Sequence, residues 1–368
     1  MFRDQYQGLF WKAFAIRNVF LLARRCFSEG RHKQMKLNKN IKIFINYFLG
    51  PLLFIWLSWS IYRQIRNQQG LEDAWISIKE SLGSLKLLNV LAVFLLMFIN
   101  WSIEAFKWKI SIKKVQHVSF GKALQAVLSG VSFAVSTPNR MGEYLGRVLY
   151  MSDGNRLKTI SVTIVGSISQ LIITLIMGAV GILFLRQDLI DNNLITPVWM
   201  SLIIYGVLAA IIFLTLFYFR LPWLIKWIDR LPRMQRYTYL INTLEDFNAT
   251  ILMKLLSLSL LRFIVFVLQY YLLFYLFDVN ILWWQAFWTV SVSFLVMAFI
   301  PTIAVAELAQ RGKIVIAVVG LYSANELGLT ITTASIWFIN LVIPAIAGSL
   351  LILRIKKIMK GNNGYEKN

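Results

Sequence analysis

The chain has 368 residues, 58% of them hydrophobic and 14% aromatic, with 38 Lys or Arg against 17 Asp or Glu and a formal net charge of +21. With a mean hydropathy of +0.64, it holds more apolar surface than a soluble domain of this length can hide, which excludes a soluble fold and implies an integral membrane protein. A lone Cys26 excludes an intrachain disulfide, and His32 and His117 are too few and too far apart for a metal cluster.

Residues 1–40 form a basic leading segment. Its stretch 9–27 mixes Leu, Phe and Trp with Lys12, Arg17, Arg24 and Arg25, as an interfacial amphipathic helix does, and charges interrupt the apolar core that a signal peptide would need. Met35, opening MKLNKNIKIF, reads as a second candidate start. Uncharged or nearly uncharged runs follow at 43–61, 87–103, 160–185, 198–219, 255–277 and 330–353. Each is near the ~20 residues that a helix needs to cross about 30 Å of hydrocarbon. Two more apolar regions are interrupted, 120–151 at Pro138 and 283–321 at Pro301. Proline removes a backbone donor and disfavours helix in the residue before it, so both regions are expected to be broken or re-entrant helix pairs. Non-helical backbone at that depth needs protein or water to satisfy it, which points to a cavity. A basic tail, 354–368, ends the chain.

The charge pattern orients these elements. Residues 1–42 carry ten Lys or Arg against Asp4 and Glu29, and 104–122 carries five lysines against Glu104, which places both segments on the cytoplasmic side. The connections 220–250 and 354–360 are also basic, whereas 186–197, 278–284 and 322–329 are each net negative by one. Both termini are therefore expected in the cytoplasm, in a plasma (inner) membrane. Much of the positive charge is then accounted for by anionic lipid headgroups, and no nucleic-acid partner is expected.

The order span, span, broken pair, span occurs twice, in repeat one (41–185) and repeat two (198–353), within one transmembrane domain, 41–353. An odd number of full crossings in each half makes the second run opposite to the first. The expected fold is all-α and polytopic, with two inverted three-span repeats, a broken pair in each, and substrate bound between the halves.

Inside the broken regions, TPNRMGEYLGR at 137–147 and PTIAVAELAQR at 301–311 each place a proline, a glutamate and an arginine four residues after that glutamate. Uncharged runs 123–139 and 281–306 precede the two clusters. A charged side chain costs roughly 2.5 to 3.5 kcal/mol at the bilayer centre, so these residues are expected to face a protein-lined interior. Thr137, Pro138, Arg140, Gly142, Glu143 and Arg147 in the first motif, with Pro301, Thr302, Glu307 and Arg311 in the second, are the candidate substrate-binding residues. Half-helices starting near the prolines would aim backbone donors at an anion such as phosphate. The arginines add forked donors, and Glu143 and Glu307 hold them when the site is empty. Gly142 and Gly146 permit close backbone approach. The competing reading is a Glu and Arg pair at helical spacing lying at the membrane interface.

The motif TPNRMGEYLGR resembles the TPGRxGE-like pattern, with a following arginine, of the transmembrane region of lysylphosphatidylglycerol synthases and the flippase-like proteins grouped with it. PTIAVAELAQRG is similar to that family's second motif in Pro301, Glu307 and Arg311, but lacks its glycine pair. The resemblance, which covers 41–353 in layout, implies moving or presenting lipids or lipid-linked intermediates. It does not imply lysine transfer, because the synthases carry that chemistry on a soluble domain for which the fifteen residues after 353 leave no room.

Gln170, Arg262, Gln269 and Asn340 lie within spans and are possible cavity-lining residues, although bonding between helices is the commoner use of such groups. Arg262, about a turn and a half from the cytoplasmic end of the run 255–277, could equally snorkel to the headgroups. Trp56, Trp59, Trp283, Trp284 and Trp288 suit an interfacial belt. No GxxxxGK[ST] motif occurs, and neither a cofactor nor a metal is expected. The leading expectation is a carrier, rather than an enzyme, for a lipid or lipid-linked anion, with membrane lipids, including polyprenyl-phosphate-linked ones, as partners. Two alternatives are a polyprenyl-phosphate-dependent glycosyltransferase using Glu72 and Asp73 in the 62–86 connection, and a non-catalytic partner of an envelope-synthesis enzyme.

Overall fold

The computed structural model describes residues 87–353, apart from 136, 138–139, 221–222, 224–243, 245–246, 301–303 and the side chains of 304–307, together with the single positions Ile55, Trp59 and Ile76. The leading segment 1–40, the first span 43–61, Glu72 and Asp73, and the tail lie outside the described residues. Among those described there is helix and no strand. In chain order the helices are α1 (Leu87–Ile112), α2 (Phe120–Val135), α3 (Gly142–Val148), α4 (Arg156–Asp191), α5 (Pro197–Phe219), α6 (Ala249–Leu276), α7 (Trp283–Phe299), α8 (Ala304–Val319), α9 (Glu326–Trp337) and α10 (Ile343–Leu353). Helices α1, α4, α5, α6 and the α9–α10 run are long and apolar enough to cross a membrane. They coincide with five of the six expected spans, and the protein is an all-helical, polytopic membrane protein.

The breaks fall where the prolines stand. Helix α2 stops at Val135 and α3 opens at Gly142; α7 stops at Phe299 and α8 opens at Ala304. A third irregularity was not expected. The five residues Phe338–Val342 form a π-helical turn between α9 and α10. Pro344 has no N–H to give to the carbonyl four residues back, and the helix widens just before it.

Several helices run beyond the limits of the hydropathy reading, among them two that carry buried charges. Helix α1 runs on past residue 103 to Ile112, and α6 starts at Ala249 rather than 255. The apolar run ends at the first charge, but the helix does not, because Glu104 and Lys107 are 2.9 Å apart and bury each other's charge. Arg262 consequently lies midway along α6 and does not snorkel; its guanidinium bonds to α1.

Helices α1 and α6 pack antiparallel. Gln269 donates to the Val93 carbonyl at 3.0 Å near one end, and Lys107 donates to Ser259 Oγ at 3.4 Å past the middle. Each broken pair leaves and returns at one end of the bundle. Ahead of α2, Gln116 Oε1 accepts from Ser152 N at 3.1 Å and Ser152 Oγ at 3.0 Å, beyond α3. Ahead of α7, the carbonyls of Phe277 and Asp278 accept from Asn325 Nδ2 at 3.2 and 3.1 Å, beyond α8. The two hairpins sit at opposite ends of α4, whose 36 residues span about 54 Å. Its first turn follows the Ser152–Gln116 cluster, and near its last turn Asp188 accepts from the Tyr322 hydroxyl beside Asn325. Burial and the Asp188 carboxylate both push the Tyr322 phenol up, so it stays a donor across the physiological range.

Close backbone approach holds the hairpins in place. A Cβ on Gly146 would lie 2.4 Å from the N and Cα of Gly130, so α3 lies directly on α2. A Cβ on Gly348 would lie 2.0 Å from the Leu128 carbonyl, so α10 lies on the other side of α2. Lipid tails are as apolar as Leu, and contacts of this kind supply the packing that water would otherwise drive.

Candidate substrate site

The first motif closes locally. Thr137 Oγ1 accepts from Gly142 N at 2.7 Å and donates to the Phe133 carbonyl at 3.1 Å, tying the start of α3 to the end of α2. One donor expected to face a substrate is thus satisfied within the hairpin. Between them Arg140 sits at φ +57°, a left-handed conformation that costs a non-glycine residue roughly 1 to 2 kcal/mol. Pro138, Pro301 and Thr302 lie outside the described residues, as does the side chain of Glu307.

Arg147, assigned from sequence to the substrate, is instead 3% exposed and paired with Glu143 in its own helix and with Glu104 of α1 at 2.8 Å. Glu104 is the hub. It also binds Lys107 at 2.9 Å and Arg262 of α6 at 2.6 Å, and its side chain is 5% exposed. Lys107 reaches the Gly166 carbonyl of α4 at 3.3 Å and Ser259 at 3.4 Å, and Ser259 shares a 2.9 Å bond with Ser169. Buried charges persist only when paired and hydrogen-bonded, and here three cations and two carboxylates from α1, α3 and α6 are paired with one another, with α4 adding a carbonyl and a serine. Sequence reasoning missed Glu104 and Lys107 because they were read as the cytoplasmic flank of a finished span. The signal was present in Asn100, Glu104, Lys107 and Ser111, which repeat at helical spacing along one face of α1 and are all buried.

Arg262 faces two ways. Its Nε donates to Asn100 Oδ1 at 2.8 Å and its Nη1 to Glu104, while its guanidinium carbon lies 5.2 Å from the Trp101 ring and 5.7 Å from that of Phe266. Asn100 in turn donates to Asn340 of the π-helical turn at 3.4 Å. Beyond Arg262 opens a cavity of about 320 Å³, bordered by Arg140, Arg311, Gln170, Thr174 and Asn340 as well as by Arg262. Trp101, Phe263, Phe266, Tyr270, Phe294 and Trp337 supply its apolar walls, and no Asp or Glu is among the described residues that line it. Gln170 and Thr174 stand midway along α4, so the cavity lies at mid-depth. Three buried donors on its border, Trp101 Nε1, Trp337 Nε1 and Arg140 Nε, have no hydrogen-bond partner.

Of the residues singled out in the sequence, Arg140, Arg262, Arg311, Gln170 and Asn340 therefore meet at one cavity. Glu143 and Arg147 stand beside it in the ion-pair network. Gln269 does not reach it; its amide is spent on Val93 of α1. Trp283 and Trp284 are exposed at the start of α7, as a belt requires, whereas Trp288 stacks on Phe184 with ring centres 4.7 Å apart. Among the described residues no group of His, Cys, Asp and Glu is arranged to hold a metal.

A multi-pass helical protein with a buried charge cluster beside a cationic, mid-depth cavity is the class that this arrangement defines. Residues 47–348 match the family model described as the lysylphosphatidylglycerol synthase TM region, and the chain belongs to that family. No curated protein matches the chain.

Proposed function

We propose that this is a flippase-like membrane carrier that moves or presents a lipid or lipid-linked substrate with a phosphate-bearing headgroup. One observation carries the reading: three arginines from three different helical segments, Arg140, Arg262 and Arg311, border one mid-depth cavity with aromatic walls. Guanidinium forks match phosphate oxygens in paired, charge-assisted hydrogen bonds, and in a site walled by aromatics each such bond is stronger than in water. At about 320 Å³ the cavity admits a headgroup and not a whole lipid, so acyl or prenyl chains would stay in the bilayer.

The helix arrangement supports alternating access. The two hairpins lie at opposite ends of α4, α2 packs on α10, and α7 packs on α4, a pattern that is preserved when the halves are exchanged. That is what an inverted repeat with a site between its halves would show. Arg140 comes from the first hairpin and Arg311 from the second, so tilting one half against the other would expose the same arginines to either face.

The test is translocation of fluorescent phosphatidylglycerol and of a labelled polyprenyl phosphate in reconstituted phosphatidylcholine vesicles. The native chain should move at least one of them faster than protein-free vesicles, and Arg140→Gln and Arg311→Gln should each slow it by about tenfold, the equivalent of losing one charge-assisted contact. Background rates for both lipids, or unchanged rates in both variants, would remove the proposal.

A further inference from the structure

We infer that Glu104 is a positioning residue that competes with the cavity's ligand for Arg262: a phosphate seated in the cavity takes over the guanidinium that Glu104 holds when the site is empty, and the α1–α6 contact loosens at its midpoint. The inference rests on the carrier reading above.

Arg262 is the side chain shared by the cavity and the ion-pair network. It borders the cavity, and it also reaches Glu104 Oε2 at 2.6 Å and Asn100 Oδ1 at 2.8 Å. A guanidinium has five N–H donors, and these two bonds use only part of the fork. A phosphate arriving between Arg262, Arg140 and Arg311 would offer oxygens in the planar, paired geometry that one carboxylate oxygen lacks. The aromatic rings at 5.2 and 5.7 Å hold the guanidinium plane as it turns, so the exchange needs a rotation and no new cavity.

What makes the exchange feasible is the number of cations on Glu104. Lys107 at 2.9 Å and Arg147 at 2.8 Å stay on the carboxylate when Arg262 leaves. A buried carboxylate with one partner would be stranded by that departure, whereas Glu104 keeps two. The consequence is geometric as well. Arg262 is the central tie between α1 of the first half and α6 of the second, and Asn100 links the same point to Asn340 beside the cavity. Occupancy would thus be read out at the contact that must change if the halves move against one another, and release of the ligand would restore the Glu104 bond and reset it.

The experiment compares binding of short-chain phosphatidylglycerol and of farnesyl phosphate to detergent-solubilised protein, alongside translocation in vesicles. The decisive variant is Glu104→Gln combined with Lys107→Gln, which replaces the competing carboxylate with a neutral, weaker acceptor while leaving the net charge of the cluster unchanged. The double variant should bind the anionic probe about tenfold tighter and translocate it about tenfold more slowly, because the bound state is no longer contested. A purely structural role for Glu104 predicts the opposite sign, weaker binding. Glu104→Asp, which keeps every charge and draws the carboxylate back by one methylene, is the variant to use if the double variant does not fold, and should tighten binding by a smaller factor. Unchanged or weaker binding in whichever variant folds, set against clear binding by the native chain, overturns this inference alone. A native chain that binds neither probe overturns it together with the carrier reading.

Discussion

At the scale of single residues, Arg147 and Arg140 of the first motif have opposite surroundings. Arg147 is enclosed and carries the negative charge of both Glu104 and Glu143. Replacing it with Met leaves two carboxylates short of a partner, and stability should fall by about 3 to 5 kcal/mol, the usual consequence of breaking a buried pair, read by thermal unfolding in detergent. Arg140 has the reverse signature. It is held at φ +57° with an unpartnered Nε at the cavity. Arg140→Gly removes the strain of the left-handed conformation at the expense of some unfolded-state entropy, so the variant should be more stable by roughly 0.5 to 1 kcal/mol while binding anionic lipid less well. A loss of stability in that variant would mean that the side chain serves the fold rather than a ligand.

At the scale of elements, the hairpins depend on the absence of side chains. Gly146 lies against backbone atoms of Gly130, which cannot rotate away as a side chain could. Gly146→Val should force α3 off α2 and cost more than about 2 kcal/mol, with the Arg147–Glu104 bond disturbed and transport lost. Gly206, in the exposed interior of α5 with nothing near its missing Cβ, is the matched control. Gly206→Ala should raise stability by about 0.5 to 1 kcal/mol and leave transport as it was. The same thermal and vesicle measurements serve both. Element limits were legible wherever a backbone property set them, which is why the breaks at Pro138 and Pro301 were anticipated. The π-helical turn depends on Pro344 in the same way, but within an uninterrupted apolar run it leaves no trace in hydropathy. The extension of α1 to Ile112 was hidden because a charge was taken as the end of the hydrocarbon, and a charge paired within the protein marks no such limit.

At the scale of the molecule, the hairpin ends make a prediction about sidedness. Gly154 follows the first hairpin and the exposed Ala324 follows the second. In a Cys26→Ser background, Gly154→Cys and Ala324→Cys should react with an impermeant thiol reagent from opposite faces of the membrane. Reaction of both from one face would contradict the inverted arrangement and, with it, the carrier proposal.

Composition and run length were enough to establish an all-helical membrane protein, because hydrocarbon leaves backbone groups no partner outside the helix and prolines interrupt helices locally. The residue types that gather at the cavity were visible too, since Arg140, Gln170, Arg262, Arg311 and Asn340 are polar groups in apolar surroundings. Which of the charges face open space and which neutralise one another was decided only in three dimensions. Glu104 and Arg262 are 158 positions apart, and no periodicity along the chain connects them. Their pairing follows from the antiparallel register of α1 and α6, a property of packed helices that neither helix carries alone.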